Sequence, residues 1–150
     1  MDLSDFFDEN YKEGFIDRTL ERSVVVKCFV EDTNPPKEKR FVIAGVLEDK
    51  SILGAVFINT LPNEKILKTP HLKMLQLPIS AKGNDFLDYD SFLDCSQIHE
   101  YEYPTIKEQL LKEPKLILGK LNQQDFIKMI DLLQKANTIA PKLLKKYGLI

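Results

Sequence analysis

LQLPISAKGNDFLDYDSFLDCSQI, from Leu75 to Ile98, is the stretch on which the reading of this chain turns. A strand-like LQLPI run leads to Ser80, the Gly83-Asn84 dipeptide marks a turn, and SFLDCSQI resumes the alternation expected of a strand. Ser80 is therefore expected at a strand end, where side chains reach pockets.

Outward from this stretch toward the N-terminus, the chain stays rich in β-branched and aromatic residues. Ser23 to Glu31 (SVVVKCFVE), Arg40 to Leu47 (RFVIAGVL) and Ser51 to Thr60 (SILGAVFINT) read as three strands. Thr33-Asn34-Pro35-Pro36 and Glu48-Asp49-Lys50 separate them as a loop and a turn. His71 to Ile79 reads as a fourth strand, and the later half of the opening stretch as a fifth. Near-continuous apolarity implies strands buried on both faces.

Toward the C-terminus the period changes. Thr105 and Glu108 have capping-box spacing, which predicts a helix stopping before Pro114, and Leu116 to Leu118 reads as one more short strand. Asn122 is placed as an N-cap, Leu121 and Phe126 as a hydrophobic staple, and Phe126, Met129, Ile130, Leu133 and Ala136 as a helical stripe. Pro141 breaks that helix, and Gly148 is expected to stop the short basic tail. At the other end, Ser4 and Asp5 suit a short helix ending before Gly14.

These readings give a chain that is mainly β with C-terminal helices, an α+β class, built on a small antiparallel barrel or strongly bent sheet. One domain is expected over the 150 residues. Residues 1–22 would be a helical appendage, 23–121 the barrel with an inserted helix, and 122–150 the C-terminal helices.

Composition narrows the function. The net charge of −2 argues against a protein coated in basic charge for generic nucleic-acid binding, yet leaves room for a local basic groove. Residues 1–22 carry seven acids and three bases, whereas Lys142, Lys145 and Lys146 make the tail basic. The apolar runs are shorter than a bilayer span and the first residues are acidic, so the expectation is a cytoplasmic protein without membrane contact. Cys28 and Cys95 lie in strand-like runs without CxxC spacing and are expected to be buried, reduced thiols.

Cys95 and His99 would need a bend between them to share a metal ion, because strand positions four apart are about 13 Å from each other. Asp88, Asp90 and Asp94 suit a solvated turn better than a magnesium site. No metal and no cofactor is therefore assigned. GxSxG, phosphate-cradling glycine loops and dinucleotide fingerprints are missing from the sequence. His71 and His99 fall at the ends of predicted strands. Arg40 opens a buried-looking strand after a Pro-Pro loop, and its fixed paired donors suit phosphate as well as a structural carboxylate.

Set in order, three segments resemble the MazF/PemK family of toxin endoribonucleases. Lys39-Arg40-Phe41-Val42-Ile43 is similar to that family's Arg-Pro strand, and Leu77-Pro78-Ile79-Ser80 to its Pro-Ile-Thr strand end. Phe92 to Ile98 (FLDCSQI) is similar to its later apolar strand, and LILGKLNQQDFIKMIDLL to its final strand and helix. Phe41 stands in place of the family's proline and Ser80 in place of its threonine. Asp94 and Ser96 occupy positions where some branches carry arginine and aspartate.

The resemblance, over roughly residues 23–137, implies an SH3-like barrel, a homodimer, an antitoxin partner and metal-independent cleavage of single-stranded RNA. In that chemistry Arg40 would stabilise charge on the phosphorane and Ser80 would donate a hydrogen bond to a phosphoryl oxygen. Asp94 or His99 would take the 2′-hydroxyl proton, while Lys27, Lys39, Arg40 and Lys82 would hold the RNA. The alternative is an inactive barrel serving as a protein or nucleic-acid binding module.

Overall fold

Val24–Val30 (β1), Lys37–Val46 (β2) and Ile52–Asn59 (β3) pair antiparallel and form the centre of the sheet. The computed structural model describes residues 9–61 and 68–150. Phe41, Val42, Ile43 and Ala44 are fully buried, so the middle of β2 faces core on both sides. Burying one such large side chain contributes about 1.5–3 kcal/mol. That accounts for the near-continuous apolar run.

Gln76–Ile79 (β4), Ser91–Asp94 (β5), His99–Glu102 (β6) and Ile117–Lys120 (β7) complete the sheet. Its order is β4-β5-β3-β2-β1-β7, with β6 also on β3, and every ladder is antiparallel. The antiparallel α+β expectation is borne out. No ladder joins β4 to β7 among the described residues.

Each face has its own helices. Glu9–Thr19 (α1) and Tyr103–Lys112 (α3) cover one face, packing Ile16, Leu20, Tyr103, Ile106 and Leu110 against Val26, Phe41, Ile43 and Ala55. Gln123–Lys135 (α4) and Pro141–Lys146 (α5) cover the other, packing Met129, Leu133, Leu144 and Tyr147 against Val42, Val56, Leu93 and Cys95. The two faces are called here the α3 face and the α4 face.

Three expectations change. Helix α1 runs through Gly14 to Thr19, because burial of Ile16 and Leu20 outweighs the cost of about 1 kcal/mol for a helical glycine. It is core rather than appendage; the start expected at Ser4 and Asp5 lies outside the described residues. His71 to Met74 is not strand but part of helix α2, Pro70–Met74, in which Thr69 Oγ1 accepts the Leu72 N–H at 3.1 Å and Pro70 sits in the first turn. Helix α3 starts two residues before Thr105, so that threonine lies inside the helix instead of capping it.

Other local signals hold. Asn122 Oδ1 accepts the Asp125 N–H at 2.8 Å as N-cap of α4. Pro141 opens α5 and Gly148, at φ +66°, closes it. There Gly148 N–H donates to Lys145 O at 3.0 Å and Leu149 N–H to Leu144 O at 2.8 Å. Cys28 and Cys95 are buried free thiols, and burial pushes both thiol pKa values up to about 12.

Between β5 and β6 the chain bulges. Leu93 pairs with Ile58 and His99 with Ala55, so five residues on one side span two on the other. Cys95 points into the α4 core, while His99 lies against Phe57 on the α3 face. A shared Cys95–His99 metal site is thereby ruled out on geometry.

Candidate functional site

Alternation along β2 divides the residues singled out in the sequence. Lys39 shares the α3 face with Phe41 and Ile43, whereas Arg40 shares the α4 face with Val42 and Ala44. Arg40 is also the fourth residue of β2 rather than its first, paired across the ladders with Lys27 and Ile58. A single basic groove made from Lys27, Lys39, Arg40 and Lys82 is therefore not formed. Successive strand residues cannot serve one face.

On the α4 face, Arg40 Nη2 lies 3.9 Å from Asp88 Oδ2, and Lys27 Nζ lies 3.7 Å from Glu38 Oε2. Both pairs are partly exposed and contribute little to stability. Ser80 directly follows β4, where its Oγ accepts the Lys82 N–H at 3.2 Å and so caps a single 3-10 turn, Ala81–Gly83. Ala81 N–H donates to Asp90 Oδ1 at 2.9 Å. Arg40 and Ser80 thus both engage the 84–90 loop, but no hydrogen bond joins them among the described residues.

That loop is clamped to helix α4. Asn84, only 1% exposed, donates to Ser80 O at 3.0 Å and to Asp125 Oδ2 at 2.9 Å, and its Oδ1 accepts the Asn122 N–H at 2.9 Å. Every polar atom of the Asn84 amide is used. This arrangement is structural, and nothing in it is left for a ligand.

The α3 face differs beyond the reach of its helices. Lys39 Nζ donates to Asn59 Oδ1 at 2.6 Å and sits 4.8 Å from the Phe57 ring centroid. Burial and the neighbouring Lys37 ammonium lower the Lys39 pKa, and Asp94 opposes them. His99 stacks on the same Phe57 ring, with centroids 3.7 Å apart and planes 10° apart. His99 Nδ1 is 3.1 Å from Asp32 Oδ2, and Tyr101 O–H donates to Asp32 Oδ1 at 2.9 Å. Lys39, Asp94 and His99 are thereby brought to one face.

Asp94 is already engaged. Its Oδ1 accepts from Gln76 Nε2 at 2.9 Å, from Ser96 N–H at 3.1 Å and from Ser96 O–H at 2.5 Å. His71 lies elsewhere, its Nε2 accepting the Asn137 N–H at 3.1 Å. Sequence reading missed Asp32, Phe57, Asn59 and Tyr101. The alternating HEYE of β6 was a legible signal for Tyr101 beside His99. Asp32 gave none, since the loop that delivers it closes over a distance of 67 residues in the chain.

Chemically, this face offers one ammonium held in place, one imidazole oriented by a carboxylate, and a flat aromatic wall between them. Such a set suits a phosphodiester and proton transfer beside it. No protein-family model and no curated protein matches the chain.

Proposed function

We propose that the chain is a MazF/PemK-like endoribonuclease that cleaves single-stranded RNA without needing a metal ion, with Lys39 rather than Arg40 holding the scissile phosphate. In this reading the antiparallel sheet is an SH3-like variant, the protein works as a cytoplasmic homodimer, and an antitoxin protein blocks it. The sequence resemblance supports the family. One observation carries the site: the half-buried Lys39 ammonium, tethered by Asn59, shares a face with His99 and Asp94. Arg40, the cation suggested by the resemblance, has its back to both.

A fixed cation beside a developing phosphorane charge acts strongly because it needs no reorganisation. Lys39→Ala should lower cleavage of single-stranded RNA by about 100-fold or more, the range for losing one such electrostatic partner. Arg40→Ala should cost less, and chelator should leave the rate unchanged. Products should end in a 2′,3′-cyclic phosphate and a 5′-hydroxyl. If Arg40→Ala abolishes cleavage while Lys39→Ala spares it, the phosphate lies on the α4 face instead.

A second reading has its own observation. Asp94 accepts three hydrogen bonds on Oδ1, Arg40 faces Asp88 and Ser80 caps a turn, as expected of a sheet that keeps the form without the reaction. RNA bound but left uncut by the wild-type protein would favour that binding module.

A further inference from the structure

Attack by a ribose 2′-hydroxyl on its own phosphate needs a base within hydrogen-bond reach. On the Lys39 face Asp94 is the weaker base, because three hydrogen bonds donated to Oδ1, one from Gln76 and two from Ser96, stabilise its carboxylate and make it less ready to take a proton. His99, whose side chain is 12% exposed, has one ring nitrogen to spare. Its Nδ1 faces the Asp32 carboxylate, which accepts hydrogens and donates none when ionised, so a neutral ring places its hydrogen on Nδ1. Nε2 is left with its lone pair and has no hydrogen-bond partner among the described residues. Stacking on Phe57 fixes the ring plane, and Lys39 reaches the same Phe57 ring.

We infer that His99 is the general base of the proposed RNA cleavage and that Asp32, itself held by Tyr101, is the residue that positions it. This assignment rests on the RNA-cleaving reading given above. His99 Nε2 takes the 2′-hydroxyl proton as the 2′-oxygen forms its bond to phosphorus. The bond from phosphorus to the 5′-oxygen breaks, and that oxygen takes a proton from the Lys39 ammonium. A 2′,3′-cyclic phosphate and a 5′-hydroxyl leave. Solvent then removes the imidazolium proton and returns one to the lysine amine. The burial that lowers the Lys39 pKa makes it the better proton donor.

The charged and titratable groups around His99 come from several elements. Asp32 reaches it from the β1–β2 loop, Tyr101 stacks beside it on β6, and Lys39 stands across Phe57, with Asp94 acting on Lys39 from β5. Beyond Asp32 and Tyr101 opens a groove of about 530 Å³ whose lining includes Glu31 and Glu102. Those carboxylates repel a phosphodiester chain. RNA therefore enters over Lys37 and Lys39, from the opposite side.

Single-turnover cleavage of a single-stranded RNA, paired with binding of the same strand carrying a 2′-deoxy residue at the cut, separates base from scaffold. His99→Gln should lower the rate by about 100- to 10,000-fold, the span for losing a positioned base. Affinity for the 2′-deoxy strand should stay within about threefold, well under the tenfold that 1.4 kcal/mol represents. Asp32→Asn should lower the rate while Asp32→Glu recovers part of it. The imidazole ¹⁵N spectrum of the wild-type protein needs no variant, and should show hydrogen on Nδ1 and a bare Nε2 that shifts when the 2′-deoxy strand is added. A ring protonated on Nε2, or His99→Gln cutting at the wild-type rate, overturns the assignment and leaves the RNA-cleaving reading standing. A wild-type protein that cuts no RNA removes both.

Discussion

Two regions built on β2 and β3 use the same strands in opposite ways. At one end, on the α4 face, Gly45 and Gly54 pair across the ladder and leave a slot that the Tyr147 ring fills. A Cβ on Gly45 would lie 2.9 Å from Tyr147 Cβ, so no other residue leaves this room. Tyr147 O–H and Lys146 Nζ both donate to Glu100 Oε2 at 2.7 Å, and Arg22 donates to the Tyr147 carbonyl. At the other end, on the α3 face, Lys39 and His99 have donor and acceptor capacity that the fold does not use. The slot is complete within the chain, whereas the Lys39 face keeps hydrogen-bonding capacity to spare among the described residues.

That contrast predicts opposite responses to substitution. Tyr147→Ala should produce the largest loss of stability, about 3–5 kcal/mol in urea unfolding, as for other buried aromatic truncations. It empties a slot lined by two glycines that cannot reach inward to refill it, and removes a donor from Glu100. A loss under about 1 kcal/mol would show that the C-terminal segment is not part of the cooperative fold.

Acid should sharpen the same comparison with a smaller effect. Burial raises the Glu100 pKa, but hydrogen bonds from Lys146 and Tyr147 outweigh it and hold the carboxyl below its ordinary value of 4.5. A depressed folded pKa stabilises the fold above the unfolded value, and that contribution disappears as pH falls through the folded one. Urea midpoints should therefore drop below about pH 4.5, and Glu100→Gln should make the curve shallower there. The glutamate side chain is 34% exposed, so solvent screening keeps the change well under that of Tyr147→Ala.

The smallest effect, of reversed sign, belongs to the Lys39 face. Lys39→Met keeps the stem against Phe57 and removes the desolvation of an ammonium. Stability should stay level or rise by up to about 1 kcal/mol, while binding of single-stranded RNA is lost. A destabilisation of about 2 kcal/mol or more, with RNA binding intact, would make Lys39 a structural cation and remove the contrast.

Some of this was legible in residues close together in the chain. β1 to β3 follow from β-branched apolar runs between turn residues, and α4 from Asn122, Phe126 and a stripe of period 3.6, because the signals and the structure they specify share a few residues. Thr69-Pro70 also carried a helix start that the apolar character of the following run obscured. Alternation already implied that Lys39 and Arg40 oppose each other. Which of them would meet His99 was a different matter. It depended on the register of β6 on β3, on the bulge after Asp94, and on a loop bringing Asp32 from 67 residues away. The sequence by itself determined β1 to β3, the cap of α4 and the helix stop at Gly148, since each is set by local sterics and hydrogen bonding. Only the tertiary structure decided the Tyr147 slot and the Lys39–His99–Asp32 face, because long-range pairing chooses which side of a strand is roofed by a helix and which stays open.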